Sequence, residues 1–335
     1  MTMLVSWIGV DTHGPSSVYI AADSRISWTQ EHKFDFGKKV FASKKYPEIF
    51  GYAGDVLFPS IVLEQIIELI DAGVLLSKEM TCDAKNKIIF EKICESLSKY
   101  PKLCIGNDVQ IMHLSRDTEV DGYPQFYHYK LIWNKHIGFK IEHIPIPKIS
   151  GLLCVLGSGK KEFENRYSLY QNGSNSNTSR NVFQCFTDTL DNITDIHCGG
   201  APQLVGLIRK PLTAGINFGI ISKRKRYFLG MEIPDKSHFD NIEWRNELFE
   251  ICDGKTMKRK IGAVHQLNRS PSSRQLKKYK FFLPVEIYLL AVFMQLASKF
   301  RVFPLALKFR DSFASVYCCS NLYNLRSFFR EYLYR

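Results

Sequence analysis

Met1-Thr2 and the run Val18-Tyr-Ile-Ala-Ala-Asp23-Ser-Arg25 are the stretches that decide the predicted fold. A Thr directly after the initiator Met is small enough for the Met to be removed, which leaves one residue with both a hydroxyl and a free α-amino group. Such a residue supplies a nucleophile and a base together. Thr is a common second residue, so the significance of Thr2 depends on the motifs that accompany it.

A β-hairpin is predicted around these stretches. Residues 3–10 are apolar and rich in β-formers, residues 11–17 have turn-forming composition, and residues 18–22 form a second β run. This pattern predicts two strands joined by a long loop. Further on, Ile49-Phe-Gly51-Tyr-Ala-Gly54 ends in small residues just before a helical pattern begins. Its glycines allow backbone to approach a ligand closely.

These motifs resemble the N-terminal half of proteasome β-type subunits, the HslV-like family of N-terminal-nucleophile (Ntn) hydrolases. The resemblance rests on Thr2, Ala-Ala-Asp23-Ser-Arg25, Lys38-Lys39-Val40 and Gly51-Tyr-Ala-Gly54. Sixteen residues separate Asp23 from Lys39, as in that family. The interval from Thr2 to Asp23 is longer than usual, and the excess falls in the predicted hairpin loop.

A second pair of motifs resembles the C-terminal half of the same family. Gly157-Ser158-Gly159 resembles its Gly-Ser-Gly turn, and Asp195-Ile-His-Cys198-Gly199-Gly200 resembles its Asp-x-x-Ser-Gly-Gly. The Ser and Asp positions are 37 residues apart, again the family's separation. The departure is Cys198, which stands where the family has Ser. Because a thiol is a weaker hydrogen-bonding group than a hydroxyl, the network around the α-amino group is expected to be looser.

The order of predicted elements is strands, two helices, strands, two helices, strands. Together with the resemblance, it predicts an α+β fold, a four-layer αββα sandwich of the Ntn hydrolase type with a basic, partly helical C-terminal extension. Trp244, with Leu248 and Phe249, suggests one more packed helix. Apolar periodicity predicts the four helices over residues 56–72, 83–99, 160–170 and 180–191.

The 335-residue length and the charge distribution predict three regions. They are a proteasome β-like domain over 1–235, a peripheral packed segment over 236–268 and a basic aromatic extension over 269–335. Residues 255–335 hold eight Lys and eight Arg against three acidic residues, a net charge of +13, whereas the whole chain carries +12. The basic character therefore belongs to the C-terminal part alone.

The extension has three open interpretations. Clustered Lys and Arg with aromatics suit nucleic acid or an anionic membrane surface. Long basic side chains also suit a partly helical cap that packs on the domain. The third interpretation is a segment without a selected function. Residues 281–300 are strongly apolar, but Pro284, Glu286, Gln295 and Lys299 argue against a membrane span.

The resemblance implies a reaction at Thr2. Thr2 Oγ1 attacks a peptide carbonyl, and the Thr2 α-amino group, or a water bound to it, acts as general base and then general acid. Lys39, held by Asp23, favours the developing alkoxide. The alternative for Asp23 and Lys39 is an ordinary surface ion pair. The backbone N–H of Gly54 is the candidate oxyanion donor, with a tight turn as its alternative.

The remaining site residues implied by the resemblance are orienting and pocket residues. Ser158, Asp195 and Cys198 would orient the α-amino group and Lys39; alternatively, Ser158 is a turn residue and Asp195 a helix-end residue. A shallow apolar substrate pocket is predicted from Ile26, Phe41, Tyr52 and Val56.

Two other motifs favour no further chemistry. Gly157-Ser-Gly-Lys160 lacks the first Gly and the final Ser or Thr of a phosphate loop, so nucleotide binding is not expected. His197 is interpreted as structural. No Cys-x-x-Cys pair is present, so a structural zinc site is not expected. No cofactor and no metal site are predicted. Nine cysteines without regular spacing and no secretory pattern predict a cytoplasmic protein.

The predicted function is an N-terminal threonine hydrolase, a peptidase acting on peptide or protein substrates. One alternative is a non-catalytic, proteasome-like assembly subunit. Another is an Ntn amidase whose tail directs it to nucleic acid or membrane. The resemblance also implies a homo-oligomeric ring and an ATPase partner, and no ATPase motif lies within the chain.

Overall fold

Antiparallel β-structure dominates the described part of the chain. The computed structural model describes residues 2–77, 79–105, 108–117, 124–210 and 214–265. In chain order the strands are β1 (Leu4–Asp11), β2 (Gly14–Ala22), β3 (Ile26–Ser27), β4 (Lys33–Phe34), β5 (Val40–Ala42), β6 (Glu48–Gly54), β7 (Val109–Arg116), β8 (Phe126–Asn134), β9 (Gly138–Ile144), β10 (Gly151–Leu156), β11 (Gln203–Ile208), β12 (Ile216–Ser222), β13 (Lys225–Phe228), β14 (Met231–Glu232), β15 (Glu243–Asn246) and β16 (Ile251–Cys252).

The strands form two large sheets and one small ribbon. The larger sheet has the order β10-β1-β2-β11-β12-β13-β14, and β15 and β16 extend it from β12 to a total of nine strands. The second sheet has five strands in the order β5-β6-β7-β8-β9, and β3 pairs with β4 alone. The pairing of β12 with β15 is parallel, whereas the other pairings are antiparallel.

The predicted fold class, an α+β four-layer αββα sandwich of the Ntn hydrolase type, is wrong for this chain. Among the described residues, strands account for 35% and helices for 24%, and the α-helices number four. The physical reason is that helical periodicity is confined to four segments, whereas runs that suit strands recur along the whole described chain. Antiparallel sheets therefore define the architecture.

The four helices themselves lie where apolar periodicity predicts them. They are α1 (Leu57–Asp71), α2 (Cys82–Lys99), α3 (Lys160–Tyr170) and α4 (Ser179–Asn192). Thr81 and Thr178 cap α2 and α4, because each side chain accepts a hydrogen bond from a backbone N–H three residues later. The cap at Thr81 moves the start of α2 to Cys82, one residue before the predicted start.

Three large hydrophobic clusters, and a smaller fourth one around Trp244, stabilise this arrangement. One joins buried side chains of both large sheets, with Leu4 and Ile20 from the larger sheet and Ile49 and Leu114 from the other. A second contains the apolar stripe of α1 and α2 with residues of β6 to β8. A third contains α3 and α4 with residues of β1 and β12. The candidate site lies at the ends of strands that contribute to the first of these clusters.

The segment after Ile233 contradicts the predicted extra helix. Trp244 lies in β15, its indole N–H donates to the Phe239 carbonyl at 3.0 Å, and its side chain is only 2% exposed. A Cβ atom at Gly219 or Gly254 would lie within 2.4 Å of the Trp244 ring. The two glycines therefore leave the space that the indole fills, and this packing holds the segment as a strand beside β12.

A buried polar cluster joins α2 to the five-stranded sheet. The Glu48 carboxylate accepts hydrogen bonds from Ser115 at 2.8 Å and His113 at 2.7 Å, and Lys85 Nζ lies 3.2 Å from it. Glu48 is fully buried and Lys85 and His113 are nearly so. Because Asn86 Nδ2 donates to His113 Nδ1 at 3.0 Å, the proton of a neutral His113 ring belongs on Nε2, facing Glu48.

The predicted division at residues 235 and 268 stays a prediction, and the extension 269–335 lies outside the described residues. Within the described ranges, no helix is long and apolar enough to cross a membrane. The cytoplasmic location stays a prediction as well.

Candidate active site

Thr2 is positioned by the turn that follows β10. Its carbonyl oxygen accepts the Gly159 backbone N–H at 3.2 Å, and its own backbone N–H donates to Ser158 Oγ at 3.3 Å. Gly157 has φ +90°, and a Cβ atom there would lie 2.0 Å from the Thr2 carbonyl oxygen. The Gly-Ser-Gly turn therefore needs glycine at 157 to let this backbone approach so closely.

Thr2, Lys39 and Asp23 meet at one buried point. Lys39 Nζ donates to Thr2 Oγ1 at 2.9 Å and to Asp23 Oδ1 at 3.0 Å. All three residues have no exposed surface. A buried ammonium and carboxylate need a close partner, and each is that partner for the other. The structure therefore brings together the three residues predicted to carry the chemistry. Because Asp23 and Lys39 are fully buried, they are not the surface ion pair considered as the alternative.

The Asp23 carboxylate is also held by backbone. Met3 N–H donates to Oδ1 at 3.0 Å, and Arg25 and Gly199 N–H groups donate to Oδ2 at 3.2 and 3.0 Å. Together with the Lys39 ammonium, these donors satisfy both oxygens of the Asp23 carboxylate and fix its orientation. The Lys39 ammonium therefore has a fully buried acceptor whose orientation is fixed.

Ser158, Cys198 and Asp195 form a chain next to the Thr2 backbone nitrogen. Cys198 Sγ lies 3.7 Å from Ser158 Oγ and 3.4 Å from Asp195 Oδ2, so the thiol contacts both predicted partners. Burial raises the pKa of the Asp195 carboxyl, but hydrogen bonds from Ser158, the His197 backbone N–H and Cys198 outweigh burial and hold that pKa below its usual range. Burial, with the charge of Asp23, raises the pKa of the Cys198 thiol, which keeps it protonated.

Gly54 is the last residue of β6 and has φ +91°. A Cβ atom at this position would lie 1.8 Å from the Asp108 carbonyl oxygen, so the position requires glycine. Ala53, its neighbour, would be 3.3 Å from a Cβ atom at Gly157, which places the end of β6 close to the turn that holds Thr2. The oxyanion role of the Gly54 N–H stays a prediction.

The four predicted pocket residues have different environments. Phe41 and Tyr52 are buried in the cluster beneath α1 and α2, with ring centroids 6.3 Å apart, and the Tyr52 hydroxyl donates to the Lys38 carbonyl at 3.1 Å. Val56 is half-buried at the start of α1, and Ile26 is half-buried in β3. Phe41 and Tyr52 thus serve as core residues here, and a pocket built from the four stays a prediction.

An open polar cleft of about 450 Å³ is lined in part by Cys198 and Asp195. Its lining includes Arg25, Asp35, Asp195, Cys198 and Gly200. Thr2 and Lys39 do not line it. In the described part of the chain, no group of three or more His, Cys, Asp and Glu side chains is placed to hold a metal ion.

Gln203 belongs to the same site, and sequence reasoning missed it. It is the first residue of β11 and is fully buried. Its Oε1 accepts the Lys39 backbone N–H at 3.1 Å, and its Nε2 donates to the carbonyls of Asp23 at 3.1 Å and Gly37 at 2.8 Å. The available signal was a lone amide at the head of an otherwise apolar strand run.

Comparison with known proteins gives only a distant likeness. No family model matches the chain, and no curated protein matches it. Among the solved structures that match is one described as the helical assembly of the Anbu complex from Pseudomonas aeruginosa. The alignment has 14% sequence identity and a TM-score of 0.46, and it covers 70% of this chain and 88% of that chain.

The assignment to the proteasome β-type family, expected from the motifs, is therefore wrong on these comparisons. A family membership needs a matching family model or a close relative, and the chain has neither. The mainly antiparallel architecture adds to the correction. The predicted ring, ATPase partner and anionic ligand of the tail stay predictions.

Proposed function

We propose that this protein is an N-terminal threonine hydrolase that cleaves amide bonds, most simply those of peptides, through an acyl-enzyme on Thr2. The observation that supports the proposal is the buried contact of Lys39 Nζ with Thr2 Oγ1 at 2.9 Å and with Asp23 Oδ1 at 3.0 Å. An ammonium held against a hydroxyl favours the alkoxide that develops when the hydroxyl attacks.

The reaction begins once Met1 has been removed, because only then is the Thr2 α-amino group free to accept a proton. Thr2 Oγ1 attacks the substrate carbonyl carbon, and the hydroxyl proton passes to the α-amino group. That group then gives the proton to the leaving amine as the carbon–nitrogen bond breaks, which leaves an ester on Thr2. Water then attacks the acyl carbon of this ester and releases the acid product. One proton of that water restores the Thr2 hydroxyl.

The residues around Thr2 have supporting roles in this scheme. Lys39 stabilises negative charge on the nucleophile, and Asp23 holds Lys39 in place. Ser158 Oγ, 3.3 Å from the Thr2 nitrogen, orients the amino group after Met1 has left. Asp195, with its lowered pKa, stays ionised at neutral pH and accepts hydrogen bonds from this side of the site.

A second candidate function is a non-catalytic assembly subunit. The observation that favours it is the Cys198 thiol, whose 3.7 Å contact with Ser158 orients the amino-group side of the site weakly. The full burial of the Thr2 side chain points the same way. The two functions differ at Thr2, because a chain that keeps Met1 has no free α-amino base.

The test is the intact mass of the purified full-length protein before and after treatment with a β-lactone or epoxyketone acylating probe, with Thr2→Ala as control. Loss of Met1 and one adduct per chain, absent from Thr2→Ala, is the expected result. Retained Met1 with no adduct would overturn the hydrolase proposal and leave the assembly subunit. Thr2→Ser, which keeps a hydroxyl and an amino group, is expected to retain the adduct.

A further inference from the structure

We infer that Gln203 is the positioning residue that sets the distance between Lys39 and Thr2. The side chain is fully buried, and each polar atom of its amide has a backbone partner in the loop that carries the site. The catalytic consequence rests on the proposed Thr2 chemistry, whereas the geometric role does not.

The three hydrogen bonds of Gln203 span the connection from Asp23 to Lys39. Oε1 accepts the backbone N–H of Lys39, while Nε2 donates to the backbone carbonyls of Asp23 and Gly37. Asp23 and Lys39 are the two ends of the segment between β2 and β5. One side chain from β11 therefore ties the start and the end of this segment to a third strand.

This bridge acts on the backbone, whereas the side chains of Asp23 and Lys39 contact one another directly at 3.0 Å. A long lysine side chain has many rotamers, so the direct contact alone does not fix where the ammonium lies. Holding the Lys39 N–H and the Asp23 carbonyl in place fixes the backbone from which both side chains extend. The ammonium then reaches Thr2 Oγ1 without rearrangement.

The surroundings of the amide leave little room for an alternative arrangement. Gln203 pairs with Ala22 in the register of β11 with β2, directly beside Asp23. A Cβ atom at Gly230 would lie 3.3 Å from Gln203 Nε2, so glycine at 230 makes space for this amide. Without its hydrogen bonds, the Lys39 N–H and the Asp23 carbonyl would lose buried partners, and the backbone there would move to find others.

A small movement at this point is expected to have a large effect on rate. Displacing a reacting or supporting group by about 1 Å costs on the order of a hundredfold. Replacing Gln203 by Met keeps the side-chain length and removes every hydrogen bond. We therefore expect Gln203→Met to slow acylation of Thr2 by tenfold or more and to displace its pH profile.

Gln184→Met is the matched control. Gln184 is also buried, in α4, and its amide donates to the Leu248 backbone carbonyl at 3.2 Å. The two substitutions make the same chemical change, but the hydrogen bond of Gln184 lies outside the Thr2 site. Gln184→Met is expected to lower the midpoint of thermal unfolding while leaving the acylation rate and its pH profile unchanged.

The experiment uses the full chain with 13C-labelled lysine and two measurements. The first is the pH titration of the Lys39 13Cε resonance, assigned with Lys39→Arg, which reports the environment of the ammonium whether or not the protein is an enzyme. The second is the β-lactone acylation rate against pH, followed by intact mass. We expect Gln203→Met to shift both and Gln184→Met to shift neither.

The outcomes separate the two proposals. If the wild-type protein takes no adduct, the hydrolase proposal fails, while a Lys39 resonance moved by Gln203→Met still supports the positioning role. If the wild-type protein is acylated and Gln203→Met leaves the Lys39 titration and the rate unchanged, the positioning role is overturned. Should Gln203→Met not fold, Gln203→Asn keeps the amide on a shorter side chain and is expected to show the same shifts to a smaller degree.

Discussion

Asp23 and Gly199 are separated by 176 residues, yet the Gly199 backbone N–H donates to Asp23 Oδ2 at 3.0 Å. Asp23 follows β2, and Gly199 precedes β11, which pairs with β2. The same carboxylate holds the Lys39 ammonium through its other oxygen. One side chain thus connects the segment that carries Lys39 with the turn that carries Cys198, so its replacement tests stability and chemistry together.

Asp23→Asn is expected to abolish acylation of Thr2 and to destabilise the protein. The amide has the shape of the carboxylate but no charge, so the buried Lys39 ammonium loses its counterion. Removing one partner of a buried ion pair costs about 3–5 kcal/mol. Denaturant unfolding measures this loss, and intact mass after β-lactone treatment measures the acylation.

Asp35→Asn is the matched control for that prediction. Asp35 pairs with Arg25 at 2.7 Å, but both side chains are partly exposed, and such pairs contribute only about 0.2–1 kcal/mol. Equal losses of unfolding free energy in the two variants would contradict the view that burial makes the Asp23 pair important.

Gly157→Ala is expected to disrupt the site through backbone alone. The new Cβ atom would lie 2.0 Å from the Thr2 carbonyl oxygen at a residue with φ +90°, so steric overlap and strain together cost on the order of 3 kcal/mol. Gly14→Ala provides the comparison, because φ is +101° but nothing lies within 4 Å of its Cβ position. Strain alone costs about 1–2 kcal/mol there.

Acylation distinguishes these two variants further. Gly157→Ala moves the backbone of Thr2 and is expected to lose the β-lactone adduct, whereas Gly14→Ala keeps it. Loss of the adduct in both, or in neither, would show that the close approach at Gly157 does not position Thr2.

Thr2, Asp23 and Lys39 were expected to act together because their motifs and the sixteen-residue spacing resemble those of the proteasome β-type family. The structure brings the three side chains together, although the chain's assignment to that family is wrong. Gln203 was not predictable in the same way, because all its hydrogen bonds go to backbone atoms. Backbone partners carry no side-chain identity, so a bridge of this kind leaves little trace in sequence.

Two errors of prediction have physical causes. The N-terminal hairpin was expected to have a long loop, but β1 and β2 continue to Asp11 and Gly14, with a register shift at Gly9 and Val10 that accommodates the extra residues. Because residues 11–17 have turn-forming composition, the sequence did not indicate that β2 begins at Gly14 and pairs with β1 through a bulge. A helix was predicted around Trp244, but its indole packs on Gly219 of β12 and on Gly254. Tertiary packing decided the outcome there.

Cys198→Ser is expected to accelerate acylation by up to about tenfold. A hydroxyl makes shorter and stronger hydrogen bonds than a thiol, and one such bond contributes about 0.5–1.5 kcal/mol. The gain would come from the Ser158 contact, now 3.7 Å, and the Asp195 contact, now 3.4 Å. The measurement is the rate of β-lactone adduct formation at fixed pH.

Cys185→Ser is the control for that substitution. Its thiol is also buried and lies 3.9 Å from the Thr189 hydroxyl, within α4. The same change there is expected to alter stability but not the acylation rate. A rate unaffected by Cys198→Ser, in a protein that does acylate, would indicate that the Ser158–Asp195 chain does not orient the amino group.

The buried His128 ring is expected to make the folded protein less stable at acid pH. Burial, followed by the nearby His113, His143 and Lys130, lowers its pKa from 6.5 to about 3, and neither ring nitrogen has a hydrogen-bond partner among the described residues. Between pH 6.5 and about 3 the unfolded chain therefore binds a proton that the folded chain does not. The free energy of unfolding should fall as pH decreases through this window, by up to about 1.4 kcal/mol per pH unit.

His128→Phe is expected to flatten that dependence, measured by urea unfolding at pH 7, 6, 5 and 4. His136→Phe, at an exposed position in the turn between β8 and β9, serves as control. Because the His128 contribution is fully present above pH 6.5, the two variants should differ in slope only below that pH. An unchanged acid slope in His128→Phe would contradict a buried neutral imidazole.

The Glu48 cluster gives the last prediction, a double-mutant cycle with Lys85. Glu48→Gln alone leaves the Lys85 ammonium buried without its counterion, and Lys85→Met alone leaves the carboxylate with only Ser115 and His113. Each single change is expected to cost about 3–5 kcal/mol, because a buried charge has lost its partner. The double variant buries neither charge, so its loss should be smaller than the sum of the two by about 1–3 kcal/mol. Strictly additive losses in denaturant unfolding would show that Lys85 and Glu48 stabilise α2 independently, through packing and not through their mutual charge.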